Sequence, residues 1–126
     1  MNIDMKKNAR QLTGRIGEQA AERYLLLNGY EIVDRNWRCK TGEIDLIVSK
    51  PGLLIFVEVR SRHQGDSFGT AAESVDERKQ RKVRHTAEFY LRRYNRTDSA
   101  VRFDLITVEL NARNQAVKLD HYRNAF

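Results

Sequence analysis

The sequence predicts an α/β domain in which helices cover a mixed β-sheet. Three observations predict it. Two segments with helical periodicity, one near the start of the chain and one after its midpoint, enclose three strand-like runs. Two of those runs are joined by Ser49-Lys50-Pro51-Gly52, a turn of the Pro-Gly kind, so they pair antiparallel. A fourth run follows the second helix at a separation that suits a right-handed parallel crossover. The 126 residues suffice for one compact domain with a core and are short for two.

Residues 1–10 are polar and carry Lys6, Lys7 and Arg10. They offer little to bury and are expected to form a flexible N-terminal segment, with 11–126 as a single domain. Gln11 to Asn28 reads as the first helix. Ile16, Ala20, Tyr24 and Leu27 recur at helical spacing, Ala21 and Leu25 widen the stripe, and Asn28-Gly29 is a C-cap signal. Gly14 and Gly17 run against helix propensity and would let another backbone or a phosphate come close. Glu18 lies away from the centre of the stripe, and its plain reading is a solvated helix glutamate.

Glu31 to Arg38 reads as the first strand, with Ile32, Val33 and Trp37 as its apolar content. Arg35, Asn36, Trp37, Arg38 and Lys40 mix basic and aromatic groups. Such a mixture suits a nucleic-acid backbone with Trp37 as a stacking platform. It suits equally a core tryptophan beside a basic edge, which is the reading favoured for Trp37. The hairpin strands fall near 42–49 and 53–60. Leu53 to Val57 is almost continuously apolar, as in a strand covered on both faces.

Ser61 to Ala72, with Gly65, Gly69, Arg62 and His63, reads as a loop. Ser74-Val75-Asp76-Glu77 gives a capping box for the second helix, which runs to about Tyr94. Val75, Val83, Ala87, Leu91 and Tyr94 form its inner stripe. Lys79 stands in that row and must either reach solvent or meet a carboxylate. Arg78, Arg81, Lys82 and Arg84 make the first half basic, as a solvated face or an anion-binding one. Ala100 to Leu110 is the fourth strand. Asp104 inside it is expected in a polar network or an ion pair with Arg102 or Arg60. Ala116 to Tyr122 reads as a short edge strand.

Lys and Arg outnumber Asp and Glu by 23 to 17, for a net charge of +6, which fits a polyanionic partner without requiring one. The single cysteine, Cys39, excludes an internal disulfide and suits a reducing compartment. His63, His85 and His121 are too scattered for a zinc-type ligand set. The start of the chain lacks the apolar core of a signal peptide, and no apolar run approaches the roughly 20 residues of a membrane span. A cytoplasmic protein without a membrane partner is expected.

The chemistry concentrates in the hairpin. Glu43 and Asp45 are two residues apart, as are Glu58 and Arg60, so each pair shares a strand face. Pairing of the strands brings Asp45 and Glu58 together. Two like charges on an apolar sheet are costly unless something neutralises them, and a divalent metal would do so. Mg²⁺ takes only one or two protein carboxylates and completes its shell with water and phosphate oxygens; oxygen ligands do not separate it from Mn²⁺. Asp45 and Glu58 are therefore the candidate metal ligands, with Glu18 reaching in from the first helix through a water. A nearby cation, Arg60 first, would hold a phosphate. This is the donor set of metal-dependent phosphodiester hydrolysis.

Several motifs carry a resemblance. Gly14-Arg15-Ile16-Gly17-Glu18, Ala20-Ala21, Tyr24-Leu25, Asn36-Trp37-Arg38, Gly42-Glu43-Ile44-Asp45-Leu46-Ile47, Phe56-Val57-Glu58-Val59-Arg60, Lys79-Gln80 and Arg102-Phe103-Asp104 resemble, in this order, the YraN family of small bacterial proteins. That family is similar in pattern to the restriction-endonuclease-like, or PD-(D/E)XK, nucleases, and in particular to Holliday-junction resolvases. The resemblance implies an αβββαβ core, Mg²⁺ or Mn²⁺ as cofactor, and a metal-dependent endonuclease acting on structured or branched DNA, working as a homodimer. It implies Glu18 as the first-helix acid, Asp45 as the metal-binding aspartate and Glu58 as the glutamate of E-x-K. Arg60 stands where that motif has lysine, and arginine cannot serve as a general base. Lys79 is the nearest replacement, expected to point towards Asp45 and Glu58. Arg15, Arg38, Lys40, Arg62, Arg78, Arg81 and Lys82 are the expected nucleic-acid contacts. The rival expectations are a nucleic-acid-binding module that keeps the fold without cutting, and a protein-interaction domain whose carboxylates only form salt bridges with Arg60 and Arg102.

Overall fold

A computed structural model describes residues 3–66 and 75–126. Its elements are α1 (Ile3–Leu27), β1 (Glu31–Cys39), β2 (Gly42–Lys50), β3 (Leu53–His63), α2 (Glu77–Arg93), β4 (Val101–Leu110) and β5 (Ala116–Tyr122). The strands form one sheet in the order β1-β2-β3-β4-β5. Among the described residues only β3 and β4 run parallel, and the connection between them contains α2. The order helix, three strands, helix, strand is the α/β arrangement expected of a restriction-endonuclease-like core, with β5 added at one edge.

Three boundaries differ from those read in the sequence. The first helix starts at Ile3 and not Gln11, since nothing in the polar first turns breaks a helix. β3 continues through Ser61–His63 because β4 stays paired with it as far as Leu110. α2 is capped by Asp76, whose side chain accepts from the backbone N–H of Lys79 at 2.9 Å. The expected capping box put Ser74 in that role; Ser74 and residues 67–72 of the expected loop lie outside the described residues.

The sheet is covered on both faces. On one, Ala21 and Leu25 of α1 pack on Leu46, Val48, Ile55, Val57, Ile106 and Val108. On the other, Ala87 and Tyr90 of α2 pack on Ile44, Ile47, Leu54 and Phe56. This explains the apolar run in β3, whose residues from Leu54 to Val57 are all buried. Val83 of α2 closes a smaller cluster with Val75, Leu105 and Phe126. Trp37 belongs to the α2 face. Its ring meets Tyr90 edge-on at 5.2 Å, and its indole N–H donates to the Tyr94 hydroxyl at 3.2 Å.

Gly17 allows α1 to lie directly on β3. A Cβ there would fall 1.6 Å from Ser61 Oγ. Gly14 has no such neighbour, and nothing within 4 Å explains it.

Candidate carboxylate site at the splayed end of the hairpin

The antiparallel pairing of β2 and β3 runs from Lys50↔Leu53 to Leu46↔Val57 and stops there. Each strand continues past that point, so their backbones part at Asp45 and Glu58. The Val59 N–H, left without a strand partner on this side, donates to Asp45 Oδ2 at 2.9 Å. A side chain thus stands in for the missing ladder bond, and the Asp45 carboxylate is fixed against β3 beside Glu58.

Glu58 is 6% exposed, and its Oε1 has no hydrogen-bond partner among the described residues. Burial first, and the neighbouring Asp45 carboxylate second, push its carboxyl up to about 10, with the Arg60 charge opposing them. Glu18 is pushed up to about 7, first by burial and then by Asp45, against a hydrogen bond from Asn36. The Asn36 amide is assigned with its nitrogen towards the two carboxylates, because its oxygen could bond to neither; so oriented, the nitrogen lies 3.0 Å from Glu18 Oε1 and 3.1 Å from Glu43 Oε1 and donates to both. Glu43 is also held by Arg38, whose Nε lies 2.9 Å from its Oε2.

An open groove of about 600 Å³ exposes this chemistry, lined by Arg38, Gly42, Glu43, Asp45, Glu58, Lys79, Lys82 and Val83. Gly42 makes room for Lys82. Its φ is +151°, and a Cβ there would lie 3.3 Å from Lys82 Cε and 3.1 Å from Thr86 Oγ1. Glu18 lies instead in a second groove of about 300 Å³ with Arg15, Gln19, Glu22, Arg35, Asn36 and Leu46.

The expected site residues therefore separate. Asp45, Glu58, Lys79, Lys82 and Arg38 share one groove. Glu18 and Arg15 lie in the neighbouring groove, with Glu18 linked to the first through Asn36. Arg60 is half-buried, does not line either groove, and its Nε has no hydrogen-bond partner among the described residues. Arg62 is half-buried near the end of β3. Lys40 lies over the Phe89 ring at 5.4 Å, and Arg78 and Arg81 are exposed on α2 outside the groove. The salt bridge expected for Asp104 is with Arg102, whose guanidinium spans both carboxylate oxygens at 2.8 Å, and not with Arg60.

Among the described residues no three His, Cys, Asp or Glu side chains cluster as a ready-made metal cage. Two carboxylates nevertheless meet the demand of a hard cation that keeps most of its water. The unpartnered buried Oε1 of Glu58 beside a second carboxylate is a position that a cation would satisfy. The donor set at Asp45 and Glu58 fits Mg²⁺ or Mn²⁺.

Asn36 and Glu43 are the residues that sequence reasoning left out of the site. Glu43 was visible as the neighbour of Asp45 on the same strand face. Asn36 stood out only as part of a family motif and of a basic and aromatic patch, because its place between the carboxylates depends on a backbone conformation that a strand pattern does not announce.

The model of the family described as Uncharacterised protein family UPF0102, which is the YraN family, matches residues 17–108. The chain belongs to that family. It is 44% identical over 119 residues to the UPF0102 protein of Pelotomaculum thermopropionicum, covering 94% of this chain and 98% of that one. It is 42% identical to the UPF0102 protein of Frankia casuarinae over 118 residues, covering 94% and 98% of the two chains. With the UPF0102 protein of Caldicellulosiruptor saccharolyticus the identity is 37% over 119 residues, covering 94% and 99%. The UPF0102 match contains every lining residue of the two grooves except Arg15. No helix of the described residues is long and apolar enough to cross a membrane.

Proposed function

We propose that the protein is a metal-dependent endonuclease acting on structured or branched DNA. The observation that carries this reading is the pairing of a buried, unpartnered Glu58 oxygen with Asp45 at the floor of a groove walled by Lys79 and Lys82. Such a floor calls for a cation and such a wall for an anion, and a phosphodiester with its metal supplies both. Asp45 and Glu58 would hold Mg²⁺ or Mn²⁺. When bound, the ion supplies charge stabilisation to a phosphate and acidifies water at the site.

The remaining work falls to the chain. Val59 N–H orients the Asp45 carboxylate. Lys79, on the first turn of α2, carries the mobile ammonium that the motif places two residues after the glutamate. It binds a phosphate oxygen of the strand to be cut. Lys82 extends the positive wall, and Arg38, held by Glu43, flanks the groove on the β1 side. Lys40, Arg62, Arg78, Arg81 and Arg15 make up a wider basic surface for backbone phosphates. A junction with two-fold symmetry would engage two copies of the chain.

A second reading, a nucleic-acid-binding module that does not cut, is favoured by Arg60. It occupies the motif's lysine position without lining the groove, so cleavage depends on Lys79 taking over that role.

The test incubates the protein with a four-way junction, a flap, a duplex and single strands in Mg²⁺ or Mn²⁺, beside the Asp45→Ala, Glu58→Ala and Lys79→Ala variants. Cleavage of the branched substrates by the native protein, lost in the first two variants, is the expected result. Salt-sensitive binding without cleavage establishes the second reading. Cleavage that survives in both carboxylate variants removes the catalytic assignment.

A further inference from the structure

Asn36 lies in the middle of β1, yet its φ is +48°, in the left-handed region that non-glycine residues rarely adopt. Asparagine is among the side chains that tolerate it, because its short amide bonds locally. Here the conformation has two consequences. The β1–β2 ladder pairs Arg35 with Leu46 and Trp37 with Ile44, but it does not pair Asn36 with Asp45 between them. Both residues leave the ladder together. The buckle also interrupts side-chain alternation in β2, since Ile44 and Ile47, three residues apart, pack into the same cluster against α2. Asp45 is the residue turned aside by that interruption, and its carboxylate lies on Val59 N–H instead of on a regular strand face.

The second consequence concerns the amide. Asn36 donates to Glu18 of α1 and to Glu43 of β2, two carboxylates from elements that meet here. It is the wall between the grooves, since it lines the Glu18 groove and bonds to Glu43 of the Asp45 groove. A neutral side chain with two donors is suited to this place. An acid would add a third carboxylate, and an aliphatic residue would leave Glu18 and Glu43 facing each other without a bridge.

We propose that Asn36 is the positioning residue of the carboxylate site: its left-handed backbone takes Asp45 out of the ladder, and its amide clamps Glu18 to Glu43. The inference deepens the reading of Asp45 and Glu58 as a cation site and rests on it for its consequence, but the clamp itself does not. Asn36 touches neither the cation nor the substrate. It acts through Asp45 and the two glutamates, in the way that outer residues around a metal orient its ligands.

The two parts are separable by substitution. Asn36→Gly keeps the left-handed backbone and removes the amide; Asn36→Ala removes both. Mn²⁺ titration of the full chain by calorimetry, with a melting curve for each variant, reads the outcome. The expected result is that Asn36→Gly melts within a few degrees of the native protein and binds Mn²⁺ about 10-fold more weakly, while Asn36→Ala loses both affinity and melting temperature. Wild-type Mn²⁺ affinity in Asn36→Gly would overturn the positioning role.

A metal-free cycle keeps the two proposals distinguishable. Glu18→Ala is made in the native and Asn36→Gly backgrounds, and melting temperatures are compared. The clamp predicts that the effect of Glu18→Ala differs between backgrounds by about 3 °C or more, a coupling on the order of that for residues sharing a hydrogen bond. Additive effects would overturn the clamp. If the native protein binds no Mn²⁺, the cation reading fails and this cycle alone decides on Asn36.

Discussion

Two buried acids in this sheet have opposite fates. Asp104 in β4 is wholly buried on the α1 side, and Glu58 in β3 is 6% exposed on the α2 side. Asp104 is saturated with partners. Arg102 spans its two oxygens, His121 Nε2 lies 2.8 Å from Oδ2, and Asn124 N–H donates to Oδ1 at 3.0 Å. Burial pushes its carboxyl up, but His121, Arg102 and Asn124 together outweigh it and bring it down to about 2. The network continues outwards, from His121 Nδ1 to the Tyr24 hydroxyl of α1 at 2.9 Å. Glu58 has no such company; its Oε1 has no hydrogen-bond partner among the described residues, and the Asp45 carboxylate raises its pKa further. The comparison separates an acid built to tie elements together from one with an oxygen that finds no hydrogen-bond partner among the described residues.

The largest expected effect lies at the saturated acid. Asp104→Ala strands the Arg102 charge and the His121 ring among buried groups, and breaking a buried pair in this way costs about 3–5 kcal/mol. Urea denaturation at pH 7 should show a drop of that order in unfolding free energy. A loss under about 1 kcal/mol would mean that the network is not structural.

Glu58 should respond in the opposite direction. Folding raises its pKa from a usual 4.5 to about 10, so between these values the folded chain holds a proton that the unfolded chain releases. Stability from this group therefore falls as pH rises through that window. Glu58→Gln removes the penalty and should stabilise the metal-free protein at pH 8 by about 1–3 kcal/mol. A destabilisation of similar size would make Glu58 a second Asp104.

The acid limb sharpens the same contrast. The Asp104 carboxyl is depressed from 3.8 to about 2, so its contribution is complete above about pH 4 and is lost as pH falls towards 2. It amounts to about 2 kcal/mol. Asp104→Asn should flatten the acid limb of the stability curve, and Glu58→Gln should leave that limb in place.

The smallest effects are those of the groove wall. Lys79→Ala and Lys82→Ala should leave folding within about 0.5 kcal/mol. Each should lower the slope of log binding constant against log salt on duplex DNA by about 0.9. Unchanged slopes would take the groove out of the DNA interface.

Element types and their order were legible because each element carries its own period. The apolar run of β3 announced burial on both faces, and Pro51-Gly52 announced the hairpin. The boundaries were less so. Ile3–Arg10 has no apolar stripe, yet it extends a helix already nucleated by Gln11–Leu27, which a local pattern does not weigh. In the site, Asp45 and Glu58 were legible as hairpin neighbours, and Lys79 as a lysine in an inner stripe. The division into two grooves was not, because it follows from one asparagine with a positive φ. Such a backbone is set by what surrounds it and leaves no mark on periodicity. Nor does the sequence distinguish Asp104 from Glu58: both are acids in apolar strands, and only the count of donors around each separates them.

The central claim is that Asp45 and Glu58 form a cation site completed from outside the chain. Calorimetric titration of Mn²⁺ at pH 7.5, in two buffers of different ionisation enthalpy, tests it most directly. Because burial and the Asp45 charge raise the Glu58 pKa to about 10, and a ligand must be deprotonated, binding should release close to one proton. Glu58→Gln should abolish both the proton release and most of the affinity. No Mn²⁺ binding at millimolar concentration, or binding that Glu58→Gln leaves unchanged, would contradict the account.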